Sequence, residues 1–172
     1  MKTIRTYGFI VVVILMATAC NTNSQKMKNA NITAAEILGN PVYLAISYGG
    51  YRKNTRDVQP TIEELKDDMR ILYAMDIRII RTYNVHLAQA ENILIAISEL
   101  KKEDASFEMY VMLGAWIDCL NAWTDQAVNH YVESPRNETE IDKAVELANK
   151  YPGIVKVLAV GNEAMVKWAE SY

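Results

Sequence analysis

The sequence predicts an α/β fold in which β-strands and α-helices alternate around a parallel sheet. Short apolar runs rich in β-branched residues recur along the chain, and the run over residues 154–160 is nearly unbroken, as in a strand buried on both faces. The segments between these runs carry helical periodicity or helix-start signals. No Gly-x-Gly-x-x-Gly follows any of the predicted strands, which disfavours a dinucleotide-binding sheet.

The first half of the folded region contains two strand–helix units. A strand over Val42–Tyr48 ends at a Gly-Gly pair, and a second strand is predicted over Ile77–Tyr83. Between them, Thr61 and Glu64 form a capping box, in which each side chain satisfies an amide at the start of a helix that runs to about Met75. The spacing of apolar residues predicts the second helix over residues 87–102.

The second half repeats this order. A third strand is predicted over Phe107–Gly114, and a third helix begins at Ser134-Pro135, where a cap residue precedes a proline in the first turn. Pro152-Gly153 ends that helix after Lys150, and the fourth strand follows. Residues 164–172 are predicted to begin a fourth helix.

Four strand–helix units in this order are half of a (β/α)8 TIM barrel. Because a complete barrel typically needs about 250 residues, residues 41–172 are expected to form only its N-terminal half. A half barrel has two open sheet edges, which proteins normally pair or cover. We therefore expect the chain to be a fragment of a longer protein; the alternative is that two copies associate.

The N-terminus is predicted to be a targeting segment. Lys2 and Arg5 precede an apolar run that is too short to span a bilayer and that ends in Ala-Thr-Ala before Cys20. Residues 1–19 are therefore expected to be a lipoprotein-type signal peptide, with lipid attached to Cys20; an ordinary signal peptide is the alternative. Residues 20–40 are predicted to be a polar tether. The signal peptide and the lipid on Cys20 predict a location in the bacterial cell envelope, where the protein is anchored to the membrane.

Composition excludes several classes of function. The net charge of −3 gives no electrostatic footprint for nucleic acid. Cys119 lacks a disulfide partner if Cys20 carries lipid, and it is expected to behave as a small apolar residue. His86 and His130 form no metal-ligand spacing, so no metal and no cofactor is predicted.

Polar and aromatic side chains are concentrated where the predicted strands end. In a parallel barrel these ends converge on one mouth, where catalytic groups lie. Aromatic faces suit the C–H surfaces of sugar rings, whereas amide, guanidinium and carboxyl groups bind hydroxyls. The residues that these ends supply are Tyr48, Arg81, Tyr83, Trp116, Asn162 and Glu163.

Three of these strand ends resemble a known family. Ser-Tyr-Gly at residues 47–49, Ile-Arg-Thr-Tyr at residues 80–83 and Val-Gly-Asn-Glu at residues 160–163 are similar to motifs of glycoside hydrolase family 17, in the expected order and spacing. That family contains β-1,3-glucanases and related glucanosyltransferases, within a clan of retaining (β/α)8 glycosidases. The resemblance covers residues 42–168 and implies β-glucan as the substrate.

The resemblance also implies roles for individual residues. Glu163 matches the acid/base and Asn162 the amide that holds the sugar 2-hydroxyl. Arg81 matches an arginine that supports the nucleophilic carboxylate, which in the family lies at the end of the seventh strand. Tyr48 and Tyr83 match aromatic residues around the cleavage point.

Elementary chemistry agrees with the acid/base role. A retaining glycosidase needs two carboxyl groups about 5–5.5 Å apart, and the acid must stay protonated near neutral pH, which burial promotes. Glu163, at the end of an apolar strand, suits that task, whereas Asp118 follows Trp116 on a loop and is expected to contact substrate or cap the loop. The chain alone is therefore expected to be inactive.

Two other functions stay open at this point. The chain could be a non-catalytic surface lipoprotein that binds glycans with the same aromatic residues. It could also belong to a β-glucan glucanosyltransferase that remodels the envelope. Linkage preference and the choice between endo and exo action depend on loops after later strands of such a barrel.

Overall fold

The structure, a computed structural model, describes residues 32–162. The chain divides into two compact units, Met1–Glu36 and Ile37–Tyr172, and every strand described below belongs to the second. The helices are α1 (Ala34–Ile37), α2 (Ile62–Ala74), α3 (Ala88–Glu103) and α4 (Arg136–Lys150). The strands are β1 (Leu44–Ser47), β2 (Ile77–Arg81), β3 (Tyr110–Ala115), β4 (Cys119–Leu120), β5 (Asn129–Glu133) and β6 (Val155–Val160).

Four strands form one parallel sheet in the order β1-β2-β3-β6. A helix connects each strand to the next one in the sheet: α2 lies between β1 and β2, α3 between β2 and β3, and α4 between β3 and β6. Parallel pairing requires such crossover connections. The α/β fold with a parallel sheet, predicted from the sequence, is thus confirmed. The register places Arg81 of β2 beside Met112 of β3, and Gly114 of β3 beside Ala159 of β6.

The apolar core lies between this sheet and helices α2, α3 and α4. On α2, the apolar face is buried at Leu65, Met69 and Leu72, with Ile62 and Tyr73 packed at its border. The capping box at the start of α2 is present: Thr61 accepts from the amide of Glu64, and Glu64 accepts from the amide of Thr61. The sheet contributes Ile80, Val111, Leu113, Ala115 and Val155 to this core.

Several element boundaries differ from the sequence prediction, and β2 ends at Arg81 rather than at Tyr83. β1 is shorter than expected, because it is an edge strand that pairs only with β2. β3 begins three residues later than predicted, since the amide of Phe107 closes a turn on Asp104 while its ring packs on Tyr73 inside the core. Helix α4 begins at Arg136, whose amide donates to the hydroxyl of Ser134.

A small hairpin was not predicted. β4 and β5 pair antiparallel within the segment that the sequence presents as one long loop after β3. Both strands are short, and β5 is exposed along its whole length. They therefore lack the alternation of apolar and polar residues that indicates a half-buried strand.

Several sequence predictions lie outside the described residues. They are the signal peptide over residues 1–19, the lipid attachment at Cys20, the acid/base Glu163 and the helix over residues 164–172. Within residues 32–162, no helix is long and apolar enough to cross a membrane.

Candidate active site

Arg81 and Asn162 form the centre of the candidate site. Nη2 of Arg81 donates to Oδ1 of Asn162 at 2.6 Å, which connects the end of β2 with the end of β6. Asn162 is buried, and the guanidinium also lies 5.2 Å from the ring centroid of Tyr83. The structure thus brings three of the predicted site residues, Arg81, Tyr83 and Asn162, into one cluster.

Two glycines make this cluster possible. Gly161 has φ of +83°, a conformation that favours glycine, and it turns the chain directly after β6. Gly114 lies at the close approach of β2 and β3: a Cβ there would meet the carbonyl oxygen of Thr82 at 2.4 Å and backbone atoms of Tyr83 at 2.7 Å. The amide of Gly114 donates to the hydroxyl of Thr82, which fixes that approach.

Tyr48 follows β1 but directs its hydroxyl away from Arg81. Its backbone amide donates to the carbonyl of Arg81, whereas its hydroxyl donates to the carboxylate of Asp68 on helix α2. Arg52 donates to the same carboxylate oxygen at 2.8 Å. Burial, and then the neighbouring Asp68, raise the pKa of the Tyr48 phenol, so this group stays a hydrogen-bond donor at physiological pH. A substrate contact of Tyr48 stays a prediction.

Trp116 belongs to a second group of side chains, after β3. Its indole Nε1 donates to Oδ1 of Asp118 at 2.8 Å, and Nε1 of Trp123 donates to the same oxygen at 3.2 Å. The two indole rings lie 6.2 Å apart at an angle of 60°. Asn137 of helix α4 holds the backbone of Asp118 at both its amide and its carbonyl. Asp118 therefore caps its own loop and orients two tryptophans, which matches one of the roles expected for it.

Glu140 ties the loops after β2 and β3 to helix α4. Oε1 of this buried carboxylate accepts from the amide of Val85 at 2.6 Å and from the amide of Trp116 at 3.0 Å. Oε2 lies 3.1 Å from Nδ1 of His86. One side chain thereby fixes the paths of both loops that carry predicted site residues. His86 lies on a loop and is held by Glu140.

These loops, α4 and Arg56 from the segment between β1 and α2 line an open cleft of about 960 Å³. Its walls include Asn84, His86, Trp116, Asp118, Trp123, Arg136, Asn137 and Glu140. The size is at the upper end of the range for small-molecule sites. No group of His, Cys, Asp and Glu side chains within residues 32–162 has the geometry to hold a metal ion.

Sequence reasoning missed Asp68, Trp123, Asn137 and Glu140. A signal existed for the last two: Asn137 and Glu140 lie on the face of α4 that continues into the buried Ala144 and Leu147. Polar residues on the apolar stripe of a helix are costly without partners, so they mark a specific role. Asp68 is one of four carboxylates on α2, and nothing in its spacing sets it apart.

A solved structure is similar to this chain. It is the crystal structure of an endo-laminarinase from Formosa Hel1_33_131, which matches with a TM-score of 0.80 and 71% sequence identity. The match covers 82% of this chain and 36% of that protein, so the chain spans little more than a third of its length. Neither a protein-family model nor a curated protein sequence matches the chain.

Proposed function

We propose that the protein is a glycoside hydrolase of family 17 that cleaves β-1,3-linked glucan with retention of configuration. The observation that carries the proposal is the contact of Arg81 with Asn162, the residue that precedes Glu163 in the sequence, in a chain 71% identical to an endo-laminarinase. An amide and a guanidinium held together at the ends of two parallel strands are suited to bind sugar hydroxyls and a carboxylate.

In this mechanism, Glu163 is the acid/base. Its carboxyl proton goes to the glycosidic oxygen as the bond to the anomeric carbon breaks, while a second carboxylate attacks that carbon and forms a glycosyl-enzyme. Glu163 then removes a proton from the water that hydrolyses this intermediate. The amide of Asn162 holds the sugar 2-hydroxyl, and Arg81 orients the nucleophilic carboxylate, which the family pattern places at the end of a seventh strand.

We also propose that the parallel sheet is the first half of a (β/α)8 barrel. The supporting observation is that both edge strands expose apolar side chains: Leu44 and Ile46 on β1, and Leu158 and Val160 on β6. In a closed barrel, further strands and helices would cover these residues. Residues 1–172 alone would then supply the acid/base without the nucleophile, and would not complete the reaction.

The proposed location is the bacterial cell envelope. The basic start, short apolar run and Ala-Thr-Ala-Cys exit of residues 1–20 support a lipid anchor on Cys20. Metabolic labelling with a palmitate analogue tests this location: label should enter the wild-type protein and be lost in Cys20→Ala. Equal labelling of both proteins would overturn the anchor.

The activity is tested with the full-length protein on laminarin. The wild-type protein should release reducing ends, and Glu163→Gln should lower turnover about 10²–10⁴-fold, the usual contribution of a general acid. Glu138→Gln, which alters an exposed carboxylate on α4, is the matched control and should keep full activity. Unchanged turnover in Glu163→Gln would remove the acid/base assignment.

Product analysis distinguishes the hydrolase from the two alternative functions, a glucanosyltransferase and a glycan-binding protein. Oligosaccharides longer than the substrate would identify a glucanosyltransferase, whereas shorter products identify a hydrolase. Laminarin binding with no reducing ends released by the full-length protein would identify a glycan-binding protein instead.

A further inference from the structure

Asp68 of helix α2 binds two residues of the segment after β1. Its carboxylate accepts from the hydroxyl of Tyr48 and, at 2.8 Å, from Nη1 of Arg52. Neither donor belongs to α2, so the carboxylate joins the segment after β1 to that helix. The mechanism proposed above assigns no role to Asp68, although Asp68 holds Tyr48, one of the predicted site residues.

Tyr48 is held at its backbone and at its hydroxyl. The backbone amide donates to the carbonyl of Arg81 at 3.0 Å, and the backbone carbonyl accepts from Nε2 of Gln89 on α3 at 3.4 Å. The hydroxyl, at the far end of the side chain, donates to Asp68. Rotation about the Cα–Cβ bond would move the hydroxyl away from the carboxylate, so these contacts select one orientation of the ring.

The chain after Tyr48 turns closely over its hydroxyl. Gly50 has φ of +70°, and a Cβ there would meet the Tyr48 hydroxyl at 2.6 Å and Cδ2 of Leu65 at 2.9 Å. Arg52 fixes the next part of the turn, because Nη1 donates to the carbonyl of Gly50 and Nη2 donates to the carbonyl of Glu64 at 2.8 Å. The turn is thus built around the hydroxyl that Asp68 holds.

The ion pair between Asp68 and Arg52 contributes little to stability by itself. The two side chains are 22% and 34% exposed, and ion pairs that are open to solvent add little to the free energy of unfolding. Burial, and then the hydrogen bond to Asp68, raise the pKa of the Tyr48 phenol, so its hydroxyl keeps the proton that it donates. The main effect of Asp68 is therefore on the position of the Tyr48 ring.

We propose that Asp68 is a positioning residue for glucan cleavage, which holds the ring of Tyr48 in one orientation beside Arg81. Asp68 acts through Tyr48 and does not touch the substrate. The inference rests on the proposed function, in which the Tyr48 ring packs against a sugar next to the bond that is cleaved. A fixed ring limits that sugar to orientations that can react, and small displacements of such a group lower the rate of the chemical step.

The test is a double-mutant cycle in the full-length protein, with kcat/KM for laminarin as the measured quantity. Asp68→Ala and Tyr48→Phe each remove the hydrogen bond, and each should lower kcat/KM about tenfold. Because both changes break the same contact, Asp68→Ala should have little further effect in the Tyr48→Phe protein. Asp67→Ala is the matched control, since this neighbouring carboxylate on α2 is 74% exposed and pairs with Arg70. It should keep full activity.

Two further variants separate positioning from a general loss of structure. Asp68→Asn retains one acceptor oxygen and should recover part of the kcat/KM that Asp68→Ala loses. Arg52→Ala leaves the contact between Tyr48 and Asp68 in place and should lower kcat/KM less than Asp68→Ala does. Circular dichroism and urea unfolding give the folded fraction of each variant, and turnover is expressed per folded protein.

The outcomes distinguish this role from the proposed function. Wild-type kcat/KM in Asp68→Ala would overturn the positioning role, and so would losses in Asp68→Ala and Tyr48→Phe that multiply in the double variant. In both cases the wild-type protein still cleaves laminarin, so the proposed function stands. If the wild-type protein neither binds nor cleaves laminarin, the proposed function fails and the positioning role fails with it.

Discussion

The guanidinium of Arg81 reaches Oδ1 of Asn162 at 2.6 Å across the end of β3, which lies between their strands in the sheet. Two strands that are not neighbours are thereby joined at the edge where parallel sheets bind ligands. The contact also fixes the orientation of the amide, because its oxygen accepts from Arg81 while its NH₂ group donates to no acceptor within residues 32–162. Arg81 and Asn162 together thus present an amide donor beside a fixed positive charge.

The first prediction concerns this pair. Arg81→Lys in the full-length protein should lower kcat/KM for laminarin by about 10²-fold, because an ammonium lacks the planar fork that can hold Asn162 and a carboxylate together. Arg78→Lys is the matched control at the start of the same strand, where Arg78 contacts Tyr73 and Asp76 instead. Similar losses in both variants would show that the effect comes from the strand and not from the site.

The second prediction concerns the glycine that allows β2 and β3 to approach. Gly114→Ala should destabilise the protein by about 1–3 kcal/mol, since its Cβ meets backbone that cannot move aside as a side chain can. Gly153→Ala is the control, because a Cβ there meets nothing within 4 Å, and it should be neutral or slightly stabilising. Urea unfolding monitored by circular dichroism measures both. Equal midpoints for the two variants would contradict the steric argument.

The sequence predicted the parallel sheet and the strand-end positions of Arg81, Tyr83 and Asn162. Each of these predictions depends on a local pattern, an apolar run and the polar residues that follow it. A buried strand is visible as an apolar run, and a polar residue directly after it must lie at the strand end. The partners of Tyr48 and Trp116 could not be read in this way. Asp68 is distant from Tyr48 in the chain, and it meets the phenol only after α2 packs on the sheet.

The loop after β3 was the least predictable part. Its shape depends on Asn137 and Glu140, which bind backbone amides and a backbone carbonyl of the loop. Such contacts leave no periodicity in the sequence of the loop itself, since any residue can supply a backbone amide. The two-tryptophan cleft is a consequence of these contacts.

The third prediction tests Glu140 as the residue that positions both loops. Glu140→Ala leaves the buried amide of Val85 and the part-buried amide of Trp116 without their acceptor, and it should cost about 2–4 kcal/mol of unfolding free energy. Glu140→Gln retains one acceptor oxygen and should cost clearly less. Glu138→Ala, an exposed change two residues earlier, should have a small effect. Thermal and urea unfolding provide the values, and equal costs for Ala and Gln at position 140 would contradict the role.

The fourth prediction is a dependence of stability on pH. Glu91 of α3 accepts from Lys150 of α4 at 2.8 Å and pairs with Lys143 at 3.3 Å. The hydrogen bond from Lys150, together with Lys143, lowers the pKa of the Glu91 carboxyl below its ordinary value. Because the folded-state pKa is depressed, the pair stabilises the protein at pH values above the unfolded-state pKa, near 4.3. That stabilisation is lost as the pH falls through the lower folded-state pKa.

Glu91→Gln removes this linkage and serves as the comparison. At pH 7, the variant should be less stable than the wild type by about 0.2–1 kcal/mol, the usual range for ion pairs open to solvent. The difference should shrink as the pH falls below about 4.3 and vanish once the carboxyl is protonated in the folded wild-type protein as well. Urea unfolding at intervals of half a pH unit measures it, with 1 M salt as a second condition that should reduce the difference at pH 7. A difference that stays constant from pH 7 to pH 3 would mean that Glu91 acts through packing rather than through its charge.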